Sequence, residues 1–407
     1  MIYLILGCLW IFFSDRLAFV IASGNEPLLL IINTYKGLAF VLITFVILYI
    51  LICRLLRKVE RSEQENLYLS YFDVLTGLYN RRYYELEVGN LDTEKNLPIS
   101  VILVDINGLK MINDAFGRQL GDEILQRAAE VIREGCDGCG IAARWSGDEF
   151  IVFLPRTPKA EAENIANRIL EACQTENIGV FQLSMSLGWD TKTCADTELA
   201  EILRTAEDRM YDHKLIQNKG LRGDLLNTII HTLYEKNPRE EQHSERVGEV
   251  AGQIGSAMGF SDLLVSRLKI IGHLHDIGKI AIEETILNKT DSLSEREREE
   301  IRRHPDVGYR ILSAASEMQE MADCVLAHHE RWDGKGYPRG LAGEAIPLEA
   351  RIIALADSYD AMSSERPYRK ALDDDVILYE IRKNAGLQFD PEIARIFVEK
   401  VLGRTWN

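Results

Sequence analysis

Histidine is scarce in this chain and unevenly spread. Of eight histidines in 407 residues, seven fall beyond residue 221, and five of those, His243, His275, His304, His328 and His329, draw attention, with Asp276 and Asp357 standing among them. His275-Asp276 and His328-His329 are adjacent pairs. Neighbouring positions on a helix point ~100° apart, so an adjacent pair fits two neighbouring ions, or a helix end, better than one ion at mid-helix. Imidazole and carboxylate together suit Fe, Mn, Ni or Zn. Two such ions bridged by a carboxylate supply a nucleophile and a clamp for phosphate oxygens. Any one histidine is more often an ordinary hydrogen-bonded residue, and His213, His231 and His273 are read that way. Seven candidate ligands in one region are not.

The elements that must position them are helices. Val247, Val250, Ile254, Ala257 and Met258 mark one amphipathic face, and Leu263, Leu264, Leu268, Ile271 and Leu274 mark the next. Strand-type alternation is missing, so 221–407 is expected to be all-α. Its motifs are His243-Ser-Glu-Arg-Val247, His275-Asp-Ile-Gly-Lys279, His304-Pro-Asp-Val-Gly308, His328-His-Glu-Arg-Trp-Asp-Gly-Lys-Gly-Tyr-Pro338, Asp357-Ser-Tyr-Asp-Ala-Met362 and Arg366-Pro-Tyr-Arg369. In these it resembles the HD-GYP domain of cyclic di-GMP phosphodiesterases.

The resemblance implies metal ligation by His243, His275, Asp276, His304, His328, His329 and Asp357, with Asp276 as bridge. Lys279 would hold the scissile phosphate, Arg366 and Arg369 would grip the dinucleotide, and Gly336-Tyr337-Pro338 would shape the loop over it. Members that take a third ion have Glu four residues before the first His; here that position is Arg239, so two divalent transition-metal ions, Fe or Mn, are expected. The implied product is linear pGpG or GMP.

A second set of acids lies upstream. The buried-type run 98–105 ends in Asp105, and strands at 141–145 and 150–154 flank a Ser-Gly-Asp-Glu turn carrying Asp148 and Glu149. Acids at a strand end and a hairpin tip make a pocket of hard oxygens suited to Mg²⁺ on phosphates; most turn acids are merely solvated. A helix marked by Leu120, Ile124, Leu125, Ala128, Val131 and Ile132, an alternating strand over 180–189, and helices at 159–174 and 198–217 complete a ferredoxin-like α/β sandwich over 71–219.

Asp73-Val-Leu-Thr-Gly-Leu-Tyr-Asn-Arg-Arg82, Asp105-Ile-Asn-Gly-Leu-Lys-Met-Ile-Asn-Asp114, Gly121-Asp122 and Arg144-Trp-Ser-Gly-Asp-Glu-Phe150 resemble the diguanylate cyclase (GGDEF) domain. That implies Mg²⁺ at Asp105, the Ile106 carbonyl and Asp148, with Glu149 beside them. One of the two hairpin acids, Asp148 or Glu149, would help deprotonate the attacking hydroxyl. Asn113 and Asp122 would read guanine, and Lys110 and Lys214 would neutralise the phosphates of GTP. The chain departs from the pattern at Ser146, where a Cβ would restrict the turn or crowd substrate. It departs also at Arg118, at Gln217-Asn218-Lys219, and in lacking an Arg-x-x-Asp motif before the hairpin. The domain is therefore expected either to make cyclic di-GMP or to regulate by binding GTP.

Residues 37–53 form an uncharged apolar run with Tyr35 at its edge, followed by Arg54, Arg57, Lys58 and Arg61, so that flank should be cytoplasmic. The stretch 1–22 is a weaker second span because of Asp15 and Arg16. The expected organisation is a two-helix transmembrane region over 1–56, a helical linker over 57–70 on which two copies could pair, the α/β domain over 71–219 and the all-α domain over 221–407. The location is a bacterial cytoplasmic membrane, with both catalytic domains in the cytoplasm.

Composition bounds this reading. The net charge of −16 argues against a nucleic-acid partner. Seven scattered cysteines fit a reducing compartment, and the single Cys136-x-x-Cys139 lacks the second pair that a structural zinc site needs. Two other readings stand beside the phosphodiesterase: a catalytically silent receptor for cyclic di-GMP and GTP, and an HD phosphohydrolase acting on another nucleotide.

Overall fold

The computed structural model describes residues 2–23, 25–315, 318–365 and 370–406, and the chain divides into two compact units, Met1–Phe72 and Asp73–Asn407. The first unit is a helical hairpin of α1 (Ile2–Ala22) and α2 (Glu26–Tyr71). Asn25 starts α2, its side chain accepting from the Leu28 amide at 3.2 Å. Asp15 and Lys36 form an ion pair across the hairpin, so the acid that made the first span costly has a partner. Val41, Leu42 and Phe45 face outward. The segment Glu26–Val59 is, among the described residues, the one long and apolar enough to cross a membrane. Span and charged linker form one unbroken helix.

The second unit begins with a five-stranded sheet of β1 (Tyr79–Asn80), β2 (Ile99–Ile106), β3 (Ile141–Ser146), β4 (Glu149–Leu154) and a later strand, and a separate two-stranded hairpin of β5 (Asn177–Ile178) and β6 (Phe181–Gln182). The later strand, β7 (Met185–Lys192), closes the order β1-β3-β4-β2-β7. β2 lies antiparallel to both β4 and β7 (Leu103 faces Ile151 and Gly188), the ferredoxin-like arrangement. Residues 180–189 were expected to be one strand. Phe181, Leu183, Met185 and Leu187 are inside as expected, but Ser186 and Gly188 are buried too and Trp189 is only half-buried, so the alternation is lost from 185 on; the pairing also differs. Gly179 turns at φ +61° and diverts 181–182 into the hairpin, so β7 starts only at Met185 and runs on to Lys192.

Helices α3 (Arg81–Leu91), α4 (Leu109–Phe116), α5 (Arg118–Cys136) and α6 (Lys159–Thr175) accompany the sheet, and α7 (Leu199–Lys236) leaves it. α7 is a single helix of 38 residues, so the backbone stays helical through 219–221, where a boundary between domains was expected. The remainder is helical: α8 (Pro238–Met258), α9 (Asp262–Leu274), a 3-10 turn Ile277–Ala281, α10 (Glu284–Leu287), α11 (Glu295–Ile301), α12 (His304–Ser313), α13 (Gln319–Ala327), α14 (Leu348–Ser363), α15 (Asp374–Asn384) and α16 (Pro391–Ile396). One apolar core runs from Ile102 and Val152 in the sheet, through Leu225 and Ile229 of α7, to Ile271 and Ile353 among the helices.

Candidate metal centre

The adjacent pairs sit at helix ends. His275 closes α9 and Asp276 opens the following 3-10 turn, while His328 closes α13. There the chain changes direction, so consecutive side chains converge. His304 is the first residue of α12, His243 lies in the second turn of α8, and Asp357 is on α14.

Glycine lets these elements meet. A Cβ on Gly272 of α9 would lie 2.6 Å from the Gly248 Cα of α8, and one on Gly278 would lie 1.9 Å from the His304 carbonyl oxygen. With hydrogen at both points, α8 and α9 cross in contact and the 3-10 turn lies against the start of α12. The imidazoles of His243 and His275 come to 5.3 Å between ring centroids, and those of His304 and His328 to the same spacing.

Two ligand groups share one carboxylate. His243, His275 and Asp276 form one, and Asp276, His304, His328 and His329 the other. Oδ2 of Asp276 lies 3.1 Å from His275 Nε2 and 3.7 Å from His243 Nε2; Oδ1 lies 3.1 Å from His304 Nε2 and 3.9 Å from His328 Nε2. Asp357 Oδ1 stands 3.3 Å from His243 Nε2. The centre is dry: His275, Asp276, His304 and His328 are all under 5% exposed.

The tautomers are set from behind. Nδ1 of His275, His304 and His328 donates to the carbonyls of Gly272, Ile301 and Val325, and Nδ1 of His243 meets Asp360 Oδ2 at 2.7 Å. Each Nε2 is thereby turned inward. His275 Nε2 and Asp276 Oδ1 are buried with no aligned hydrogen-bond partner. Buried polar atoms are rarely left so, and a cation between the two groups would satisfy both.

Charge is distributed accordingly. Burial works against ionising Asp276, yet His275 and Lys279 hold its carboxyl well below the usual range. Burial and the neighbouring imidazoles push His328 down, and push His329 to about 4, so both imidazoles are neutral at pH 7. Burial opposes a charge on His243, but hydrogen bonds to Asp357 and Asp360 outweigh it and lift the pKa to about 10. Lys279 lies 2.7 Å from Asp276 Oδ2 and 3.0 Å from both oxygens of Glu240. The Tyr337 ring packs on His329 at 4.9 Å. Arg366 and Arg369 lie outside the described residues.

Three residues here carry no signal in their spacing. Glu240 holds Lys279, Asp360 holds His243, and Glu330 accepts from the amides of Arg339 and Leu341 (2.7 and 3.0 Å), tying down the loop that carries Tyr337. Asp360 and Glu330 fall inside two of the motifs above without a role there, and the only sequence sign of Glu240 is that it sits three residues before His243.

At the sheet, Asp105, the next-to-last residue of β2, stands opposite Glu149, and its Oδ1 accepts from Lys214 Nζ at 2.6 Å. Burial raises the Asp105 carboxyl, with Asp148 and Glu149 adding to it against the pull of Lys214. The Ile106 amide donates to the Asp148 carbonyl. Ser146 is outside the left-handed region, so its Cβ strains no turn; its hydroxyl instead donates to Glu149 Oε2 at 2.6 Å. Asn113 on α4 presents a buried Oδ1 without a partner, while Lys110 on α4 and Asp122 on α5 are exposed. No three-ligand group forms around Asp105 among the described residues.

Comparison with known proteins gives two family matches. Residues 70–220 match the model described as diguanylate cyclase, GGDEF domain, and residues 227–393 the model described as HD domain. A cyclic di-GMP phosphodiesterase of Thermotoga maritima is 41% identical over 174 residues, 42% of this chain and 47% of that protein. A cyclic di-GMP phosphodiesterase response regulator of Xanthomonas campestris is 46% identical over 149 residues, 36% of this chain and 39% of that protein. A 3'3'-cGAMP-specific phosphodiesterase of Vibrio cholerae is 32% identical over 215 residues, 50% of this chain and 41% of that protein. The chain spans less than half the length of each of these relatives.

Proposed function

We propose that this chain, which carries a GGDEF domain followed by an HD domain, hydrolyses cyclic di-GMP to pGpG or on to GMP at a two-metal centre in its HD domain. The observation that carries the proposal is Asp276, shared by two histidine groups, with its Oδ1 and His275 Nε2 buried and without a hydrogen-bond partner.

His243, His275, Asp276, His304, His328, His329 and Asp357 fit two divalent transition-metal ions, Fe or Mn. When bound, such ions supply Lewis acidity toward a phosphoryl oxygen and toward the attacking water. The chain's own groups do the rest. The carboxylate of Asp276 spans the two ligand groups. Neutral His328 and His329 offer lone pairs without first losing a proton. The Lys279 ammonium, kept charged by Asp276 and Glu240 against burial, neutralises the oxygens of the scissile phosphate. Tyr337 walls the site, and Arg366 and Arg369 grip the dinucleotide.

The GGDEF domain takes GTP, with Mg²⁺ on Asp105, the Ile106 carbonyl and Asp148, with Glu149 beside them, phosphates on Lys110 and Lys214, and guanine on Asn113 and Asp122. It either makes cyclic di-GMP or regulates by binding GTP; the Ser146 hydroxyl on Glu149 favours regulation, because it engages one of the two hairpin acids. We place the domains at 71–219 and 221–407, behind two spanning helices over 1–56 and a linker over 57–70 on which copies pair, in a bacterial cytoplasmic membrane with both domains in the cytoplasm. A second reading, in which the substrate is another cyclic dinucleotide, draws on the relative named for 3'3'-cGAMP.

Purified protein loaded with Fe or Mn should convert cyclic di-GMP to pGpG, and His275→Ala should lose turnover. Preference for 3'3'-cGAMP would support the second reading. Metal binding with no turnover of either substrate would leave a silent receptor.

A further inference from the structure

Arg302 caps the C-terminal end of α11, two residues before His304, and its side chain is exposed. Its guanidinium carbon lies 5.4 Å from the centroid of the Tyr337 ring. Tyr337 in turn packs on His329, a member of the second ligand group. The contacts therefore run outward from the ligand group through His329 and Tyr337 to Arg302 at the rim.

The other cations at this centre have acids. Lys279 is taken by Asp276 and Glu240, and Arg246 by Asp360. Arg302 has no acidic partner among the described residues, although the chain carries sixteen more negative than positive side chains (63 − 47). An aromatic ring beneath a guanidinium fixes its orientation and leaves its donors free. The planar fork then suits two oxygens of one phosphate. α12, ten residues long, begins two residues later, and the positive end of its dipole adds to the attraction.

We propose that Arg302 is a substrate-anchoring residue that takes the non-scissile phosphodiester of a cyclic dinucleotide. This rests on the phosphodiesterase reading above. A cyclic dinucleotide carries two phosphodiesters on opposite sides of its macrocycle. When one reaches Asp276 and Lys279, the other points outward, past Tyr337. The anchor reads charge rather than base, so it serves cyclic di-GMP and 3'3'-cGAMP alike.

The test uses the full-length, metal-loaded protein, with Arg302→Ala and Arg302→Lys. Readouts are kcat and KM for both cyclic dinucleotides, binding of a fluorescent cyclic di-GMP, metal content, and hydrolysis of bis(p-nitrophenyl) phosphate, which has a single phosphodiester. Losing a charge-assisted anchor should raise KM and Kd by about 10- to 100-fold with kcat little changed. Arg302→Lys should recover part of the loss. The effect should be equal for the two dinucleotides and absent for the single ester, at unchanged metal content. Wild-type KM in Arg302→Ala overturns the assignment. So does an equal loss on the single ester, which would mark a structural role, or a loss confined to one dinucleotide, which would mark base reading. A wild-type protein that cleaves the single ester but no dinucleotide overturns the functional reading itself, and the anchor with it.

Discussion

Asp360 illustrates how much of a candidate metal site lies behind the candidate ligands. Its carboxylate holds His243 Nδ1 at 2.7 Å and also pairs with Arg246. Those partners keep Asp360 itself down at about 2 against the effect of burial, and Asp360 with Asp357 keeps His243 protonated at neutral pH. A metal must displace that proton, so apparent affinity should rise with pH between 7 and 9. In Asp360→Asn the proton is held less tightly, and the rise should be shallower. Turnover at pH 7 should fall about 10-fold or more, because His243 is no longer oriented. Titration calorimetry at several pH values checks this; an unchanged slope would remove Asp360 from the account. The seven candidate ligands were legible because histidine is rare and two pairs are adjacent. Asp360, Glu240 and Glu330 were not, because their partners are chosen by how helices cross.

Among elements, the 3-10 turn after Asp276 is the most constrained. Gly278 is not in the left-handed region, so its requirement is space alone: an added Cβ would meet the His304 carbonyl and, at 2.6 Å, the Gly308 amide nitrogen. Both are backbone atoms, which cannot rotate away. Gly278→Ala should therefore push α12 off the turn and separate His304 from Asp276. Overpacking of this kind costs about 1–3 kcal/mol, so the melting temperature should drop and metal content should fall with it. Normal metal content in a destabilised variant would show that the ligand groups tolerate the shift. At this scale the sequence was a fair guide to helices, whose 3.6-residue period survives packing. It was a poorer guide to where elements stop. Over 180–189 the alternation holds only to Met185, beyond which Ser186 and Gly188 are buried as well, and the pairing is decided by the Gly179 turn. α7 runs unbroken through residue 220 and reaches both halves: Lys214 pairs with Asp105, and Lys236 donates to the Ile280 carbonyl.

At the scale of the molecule, Asp73–Asn407 is one compact unit with a core continuous from the sheet to the helices. The candidate GTP pocket and the metal centre are packed through neighbouring elements: α4, which carries Lys110 and Asn113, reaches α12 through Asp114 and Arg310 at 3.3 Å. Sequence motifs named candidate residues for both sites but carried no sign of this packing, since it joins surfaces far apart in the chain. Of the N-terminal hairpin, the apolar run of α2 was legible, and the Asp15–Lys36 pair was not. The whole account depends on Asp276 joining two cations. Metal stoichiometry by mass spectrometry on the full-length protein, wild type beside Asp276→Ala, tests this most directly. Two ions per chain in the wild type, and loss of both binding and cyclic di-GMP hydrolysis in a variant that keeps its helical circular dichroism, is the predicted result. A folded Asp276→Ala protein that retains two ions and hydrolyses cyclic di-GMP at the wild-type rate would contradict it.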